Sequence, residues 1–199
     1  SYGDGNNAGY TANTRNVDQQ MRQLPYLMHV FSAGNSGTSN FGYGAGAGWG
    51  NITGGHKMGK NVLTVGNVDY RDVLESSSSR GPASDGRLKP DICAVGTNVQ
   101  STIDPNTYDV FTGTSMACPG VAGVSAQLVG AYRALNSGAE MPAALLKAAL
   151  LNTAEDLGNP GPDFRFGYGR TNALRAVRVL EGRTYFQDSL AQGETRSFS

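Results

Sequence analysis

The chain has 199 residues, and its 16 basic and 16 acidic side chains cancel. A neutral chain exerts no long-range pull on phosphate, which argues against a dedicated nucleic-acid binder. No apolar run reaches the ~18 residues that cross a bilayer, so neither nucleic acid nor membrane is expected as a partner. Charged residues make up 16% and glycines number 28; against the usual ~25% charged and ~7% glycine, this describes one globular domain rich in tight turns and close backbone contacts. The chain opens on Ser1 without a basic-then-apolar leader, which reads as a processed or cut chain. The spacing of Cys93 and Cys118 fits no metal motif; two small buried thiols or a single bridge are both open.

Residues 10–24 begin with turn formers and then place Val17, Met21 and Leu24 on one helical face, with Thr14 as the candidate cap and Pro25 as the stop. The apolar run 26–31 reads as a buried strand that ends in the turn Ser32-Ala33-Gly34-Asn35. Residues 34–55 are glycine-rich and irregular. Residues 62–65 form a second strand and 91–95 a third, separated by a polar loop at 76–86. Residues 99–111 alternate like a hairpin around Asp104-Pro105-Asn106. The apolar stretch 116–135 is too long for a strand and is expected to be a buried helix, with Pro119 near its first turn. A helix follows Pro142, and another spans 172–180. Strands alternating with helices specify α/β with a parallel sheet. From Arg183 the pattern changes to one expected of the first strands of an antiparallel β module.

Three glycine-linked segments compete as sites. Residues 54–61, GGHKMGKN, match the phosphate-loop pattern up to its last position, where Asn61 replaces the magnesium-holding Ser or Thr. The context is also inverted, because this loop precedes a strand. The second segment, Gly113-Thr114-Ser115-Met116-Ala117, puts a serine at a strand-to-helix junction, where helical N–H groups favour negative charge; a lone serine there can equally be a cap. The third puts Asn35 at the carboxyl end of a buried parallel strand, where α/β proteins bind ligands; a turn-forming Asn is the plainer alternative. Together, Ser115 and Asn35 supply a nucleophile and an amide donor, half of an acyl-transfer site.

The chain resembles the carboxyl-terminal half of a subtilase catalytic domain. Gly113-Thr114-Ser115-Met116-Ala117-Cys118-Pro119 with Val121-Ala122-Gly123 is similar to that family's nucleophile motif, and Ser32-Ala33-Gly34-Asn35 to its oxyanion segment. Ser78-Ser79-Arg80-Gly81-Pro82, Lys89-Pro90-Asp91-Ile92 with Gly96-Thr97, and Phe166-Gly167-Tyr168-Gly169 with Asn172-Ala173 follow in the family's order. Gly120 and Val95 depart from it, standing where members usually have His and Pro. The resemblance implies a subtilisin-like parallel sheet flanked by helices, present as a partial domain (residues 1–182), with residues 183–199 beginning the β module. It implies a secreted or cell-surface serine endopeptidase with Ser115 as nucleophile and Asn35 in the oxyanion hole. Ser1, Tyr2, Gly3, Ser32, Ala33, Gly34 and Thr114 would bind the peptide or protein substrate. No cofactor is implied for the chemistry. Structural calcium is common in the family, but scattered Asp69, Asp72 and Asp85 give no ligand set.

A serine hydroxyl needs a base, and the chain has only two histidines. His29 lies six residues before Asn35, about 20 Å away along a regular strand, and is expected to be a sheet histidine packed under a helix. His56 lacks the family's His-Gly-Thr context. The family's Asp and His precede its Ser in chain order, so the expected partner is a missing amino-terminal half and the chain alone is expected to be inactive. The other reading is a catalytically dead subtilase-like binding or scaffold module.

Overall fold

The structure, a computed structural model, describes residues 9–41, 43–52 and 54–197. Three parallel strands, β1 (Val30–Ser32), β2 (Leu63–Val68) and β3 (Ile92–Val95), lie in the order β1-β2-β3, with Val30 opposite Leu63 and Val65 opposite Ile92. The hairpin β4 (Val99–Ile103) and β5 (Thr107–Phe111) is antiparallel. Four helices complete the architecture: α1 (Ala12–Gln23), α2 (Thr114–Leu135), α3 (Ala143–Asn152) and α4 (Ala173–Glu181). None of the described helices is long and apolar enough to cross a membrane.

Strand periodicity divides the two faces of the sheet. Leu63, Val65, Ile92 and Ala94 pack with Ala117, Val121 and Leu128 of α2, with Leu145, Leu146 and Leu150 of α3, and with Leu180 of α4 in the main core. Phe31 points the other way and packs with Val17 and Met21 of α1. Helix α2 is apolar around much of its circumference because it lies between the sheet and α4.

The elements differ from the sequence expectation where tertiary bonds override local pattern. Helix α1 starts one turn earlier: Thr11 is its cap, and Thr14 closes a reciprocal capping box from inside the helix. Strand β1 is half as long as the apolar run, because residues 24–27 form a turn through Leu27 N–H and Leu24 C=O. Strand β2 continues through Gly66 and Asn67 with all six residues buried. Gly66 is required there, since a Cβ would sit 2.7 Å from Cys93 Sγ. The antiparallel pair is the β4–β5 hairpin, whereas residues 183–197 contain no strand among the described residues. That segment lacks a ladder partner, and Tyr185 instead packs against the main core. Cys93 and Cys118 are free and buried, and burial raises both thiol pKa values.

The phosphate-loop look-alike is occupied by the protein's own carboxylate. Asp18 accepts the backbone N–H groups of Lys60 and Asn61, each at 3.0 Å, and the Tyr10 hydroxyl at 2.8 Å. The amides that would cradle a phosphate are therefore engaged, and Lys57 is buried in a short 3₁₀ turn (His56–Met58) rather than displayed.

A buried charge cluster ties β2, β3 and α3 together. Asp91 Oδ2 accepts the Thr64 N–H at 2.7 Å and the Lys89 ammonium at 2.5 Å, and Lys89 also donates to the Thr64 hydroxyl. Lys147 of α3 reaches Asp91 Oδ1 at 3.2 Å and donates to the carbonyls of Lys60 and Val62. Burial pushes the Lys89 pKa down to about 8, with Asp91 opposing the shift.

Asp91→Asn leaves the Lys89 ammonium buried without its carboxylate and is expected to cost about 3–5 kcal/mol, read as a lower urea midpoint. The Lys89 pKa lies below its ordinary 10.5, so from pH 8 to 10.5 the unfolded chain holds more protons than the folded one and stability rises with pH through this group. Urea titrations across that range should show wild type gaining stability relative to Lys89→Met; a flat difference would refute the assignment.

Candidate active site

Asn35 follows β1, Gly96 follows β3, and both lie beyond the carboxyl ends of their strands, where open parallel sheets bind ligands. The N–H of Gly113 donates to the Gly96 carbonyl at 2.9 Å and seats the start of α2 on the end of β3. The approach requires glycine at 96: a Cβ there would lie 2.6 Å from Gly113 O and 2.7 Å from Ala117 N.

Gly113 is the cap of α2 and provides no side chain to bond the first helical amides. Those amides are engaged individually. The Thr114 N–H donates to Asn35 Oδ1 at 3.0 Å, and the Met116 and Ala117 N–H groups turn back to Gly113 O. The Ser115 N–H has no protein acceptor among the described residues. Ser115, half-buried at the second helical position, thus carries its hydroxyl beside an open amide at the positive end of a 22-residue helix.

Asn35 is held through its oxygen. Oδ1 accepts both the N–H of Thr114 and its hydroxyl, the latter at 2.9 Å. Two donors on one atom fix the carboxamide orientation and leave Nδ2 as the outward donor, 3.1 Å from where a Gly113 Cβ would stand. Asn35 itself is exposed. The same Thr114 hydroxyl accepts the Gly34 N–H at 3.1 Å. Ser79 braces the loop from behind: its N–H donates to Gly34 O and its hydroxyl accepts the Ser36 N–H.

The structure brings Ser115, Asn35, Thr114 and Gly34 together. Thr114, fully buried, bonds Asn35 and Gly34 through its hydroxyl. Ser32 and Ala33 are also buried, with the Ala33 N–H on Val65 O. Ser1, Tyr2 and Gly3 lie outside the described residues. The supporting roles of Gly96 and Ser79 were not identified from the sequence, where only their places in family-like runs marked them. Gly120, one of the departures from the family pattern, faces open space.

The two histidines occupy the opposite face of the sheet from α2. Val30 packs with the α2 core, whereas His29 and Phe31, two residues apart, share the α1 face. His29 bonds Gln20 of α1 at 3.2 Å, and its ring lies 5.8 Å from the Phe31 ring. His56 lies 5.8 Å from Phe31 as well. Burial, with a smaller contribution from His56, lowers the His29 pKa below its ordinary 6.5. The three carboxylates weighed for calcium do not converge. Asp69 caps the Arg71 and Val73 amides, Asp72 pairs with Arg170, and Asp85 pairs with Arg87. Among the described residues no group of three or more His, Cys, Asp or Glu side chains is placed to hold a metal.

This is an α/β arrangement that presents a helix-borne serine beside a fixed carboxamide. Residues 1–169 match the family model described as the subtilase family, and the chain belongs to that family of subtilisin-like serine proteases. Alkaline elastase YaB of Bacillus sp. (strain YaB) is 33% identical over 172 residues, covering 85% of this chain and 38% of that protein. Subtilisin DY of Bacillus licheniformis is 32% identical over 174 residues, covering 87% of this chain and 54% of that protein. The solved structure of the patellamide maturation protease PatA superposes with a TM-score of 0.71 at 23% identity, over 90% of this chain and 61% of that one, and shares the fold. The chain therefore spans only about half, or less, of these two Bacillus relatives.

Thr114→Ala strips the Gly34 amide and Asn35 Oδ1 of one hydroxyl. A loss of about 1–3 kcal/mol is expected in urea denaturation, as for a buried partner left unsatisfied. Thr114→Ser should recover most of it.

Proposed function

We infer that this chain supplies the nucleophile and the oxyanion hole of a subtilisin-like serine endopeptidase acting on peptide or protein substrates. The observation that carries this reading is the Asn35 carboxamide, held through two bonds to Thr114, the residue next to Ser115 in the chain. In the proposed reaction Ser115 Oγ bonds to the scissile carbonyl carbon while its proton passes to a histidine base. The resulting oxyanion accepts bonds from Asn35 Nδ2 and the Ser115 N–H. The C–N bond then breaks, the leaving amine takes the proton from the imidazolium, and the acyl group remains on Ser115 until water repeats the sequence.

Neither His29 nor His56 fits the role of base, because both sit across the sheet from α2. The proposal therefore assigns the Asp and His to an amino-terminal half outside these 199 residues. Strand β1 supports that assignment: it is the outer strand of the described sheet, and its Val30 and Phe31 are only half-buried although β2 is wholly buried. Parallel sheets are ordinarily covered, and an open edge invites another strand. Ser32, Ala33 and Gly34 would wall the substrate site together with Ser1, Tyr2 and Gly3. The same reading places the protein outside the cell or on its surface.

The test compares the 199-residue chain alone with the chain joined to an Asp- and His-bearing amino-terminal half, using a fluorophosphonate probe and a peptide substrate. The chain alone should cleave no faster than its Ser115→Ala variant. The joined protein should be labelled at Ser115 and should lose about 10⁶ in turnover on Ser115→Ala, the loss known for subtilisin. Asn35→Ala should cost about 10²–10³, again subtilisin's value. A joined, folded protein that stays unlabelled would favour a catalytically dead binding module instead.

A further inference from the structure

A groove of about 840 Å³ lies between α1 and α3, and neither Ser115 nor Asn35 lines it. Its volume falls within the ~300–1,000 Å³ typical of small-molecule sites. Met21, Met28 and Leu151 line it, and methionines adapt readily to flexible apolar chains. Arg15, Arg22 and Lys60 also line it. In a chain whose charges cancel, this is a local concentration of one sign.

Among the described residues these three cations have no carboxylate partner, unlike others nearby. Lys147 also lines the groove, but its ammonium is held by Asp91 and two carbonyls. The one acid in the lining, Asp18, has both oxygens bonded to Lys60 N, Asn61 N and the Tyr10 hydroxyl. Arg15 and Arg22 form no ion pair with a carboxylate among the described residues. They stand seven residues apart on α1, two turns or about 10 Å along one face. Lys60 lies 5.3 Å from the centre of the Tyr10 ring, which leaves its charge without an acidic partner there.

We propose that this groove binds an anionic amphiphile, a straight-chain carboxylate whose head lies among Arg15, Arg22 and Lys60 and whose alkyl chain runs over Met21, Met28 and Leu151. Charge complementarity selects the head, the apolar floor selects the tail, and the volume favours a small molecule over a docked domain, which would bury a broad patch of about 800 Å². The site is independent of the proteolytic reading, and none of the outcomes below depends on activity.

Titration calorimetry of dodecanoate into the 199-residue chain tests it. Saturable one-to-one binding is expected. Arg15→Glu with Arg22→Glu, both exposed, should weaken it by about tenfold or more while leaving the urea midpoint unchanged. Ala148→Trp, which fills the groove from the exposed face of α3, should weaken it similarly. Dodecyltrimethylammonium, with the same tail and the opposite charge, should bind about tenfold more weakly than dodecanoate. Absence of saturation up to about 1 mM, equal binding of the two amphiphiles, or dodecanoate binding indifferent to the Arg15/Arg22 exchange would overturn the proposal. So would capture of an acidic helical peptide without any binding of dodecanoate.

Discussion

The site hangs on the side chain of Thr114. Its hydroxyl accepts from Gly34 and donates to Asn35, two residues about 80 positions earlier in the chain. Without that bridge the exposed Asn35 carboxamide would keep only its bond from the Thr114 N–H, and a loosely held side chain would make a poor donor in the proposed oxyanion hole. With it, the donor that the proposed reaction requires would be oriented before any substrate arrives, which is the condition under which hydrogen bonds lower a barrier without reorganisation. The bridge has its own prerequisite. The start of α2 must sit directly on the end of β3, and it does so because Gly96 has no Cβ to strike Gly113 O and Ala117 N. The chain of dependence runs from a missing methyl to a seated helix, then to a bonded threonine, and last to a fixed amide.

The interior treats charge in the same economical way. Asp91 is shared by two ammonium groups and a backbone amide, and Asp18 closes a loop that would otherwise offer its amides to an anion. Each carboxylate joins segments distant in sequence. A buried charge with several partners is tolerable, while one deprived of a partner is not, so these contacts act as register marks for β2, β3 and α1.

Much of this was legible in the sequence. The three parallel strands, the hairpin around Asp104-Pro105-Asn106 and all four helices follow from apolar periodicity and turn residues, and the run from Gly113 to Ala117 marks its own junction. What stayed hidden has a common cause. The continuation of β2 through Gly66 and Asn67 reads locally as a strand end, because the reasons for it lie on β3 and in the loop before it: Cys93 forbids a side chain at 66, and the Ser78 hydroxyl bonds the Asn67 amide. Thr14 looked like a cap because the box is reciprocal and its partner Thr11 stands outside the apolar pattern. The engagement of Lys60 and Asn61 by Asp18, 42 residues earlier, leaves no periodic trace at all. Residues 183–197 contain no strand among the described residues, because a strand exists only where a neighbour supplies the ladder.

The placement of the histidines follows from the simplest of these rules. Consecutive strand residues face opposite sides of a sheet, so one step along β1 separates Val30, packed with α2, from Phe31 and its two imidazole neighbours. No side-chain rotation carries a group through a hydrogen-bonded sheet. Moving His29 to the face of Ser115 would require shifting β1 by one residue, and that shift would turn Val30 out of the main core and Phe31 into it. The packing that stabilises the sheet is therefore the same packing that holds His29 on the face away from α2. Under the proposed reading, a base for this serine would come from the α2 face, beyond the half-covered edge that β1 presents.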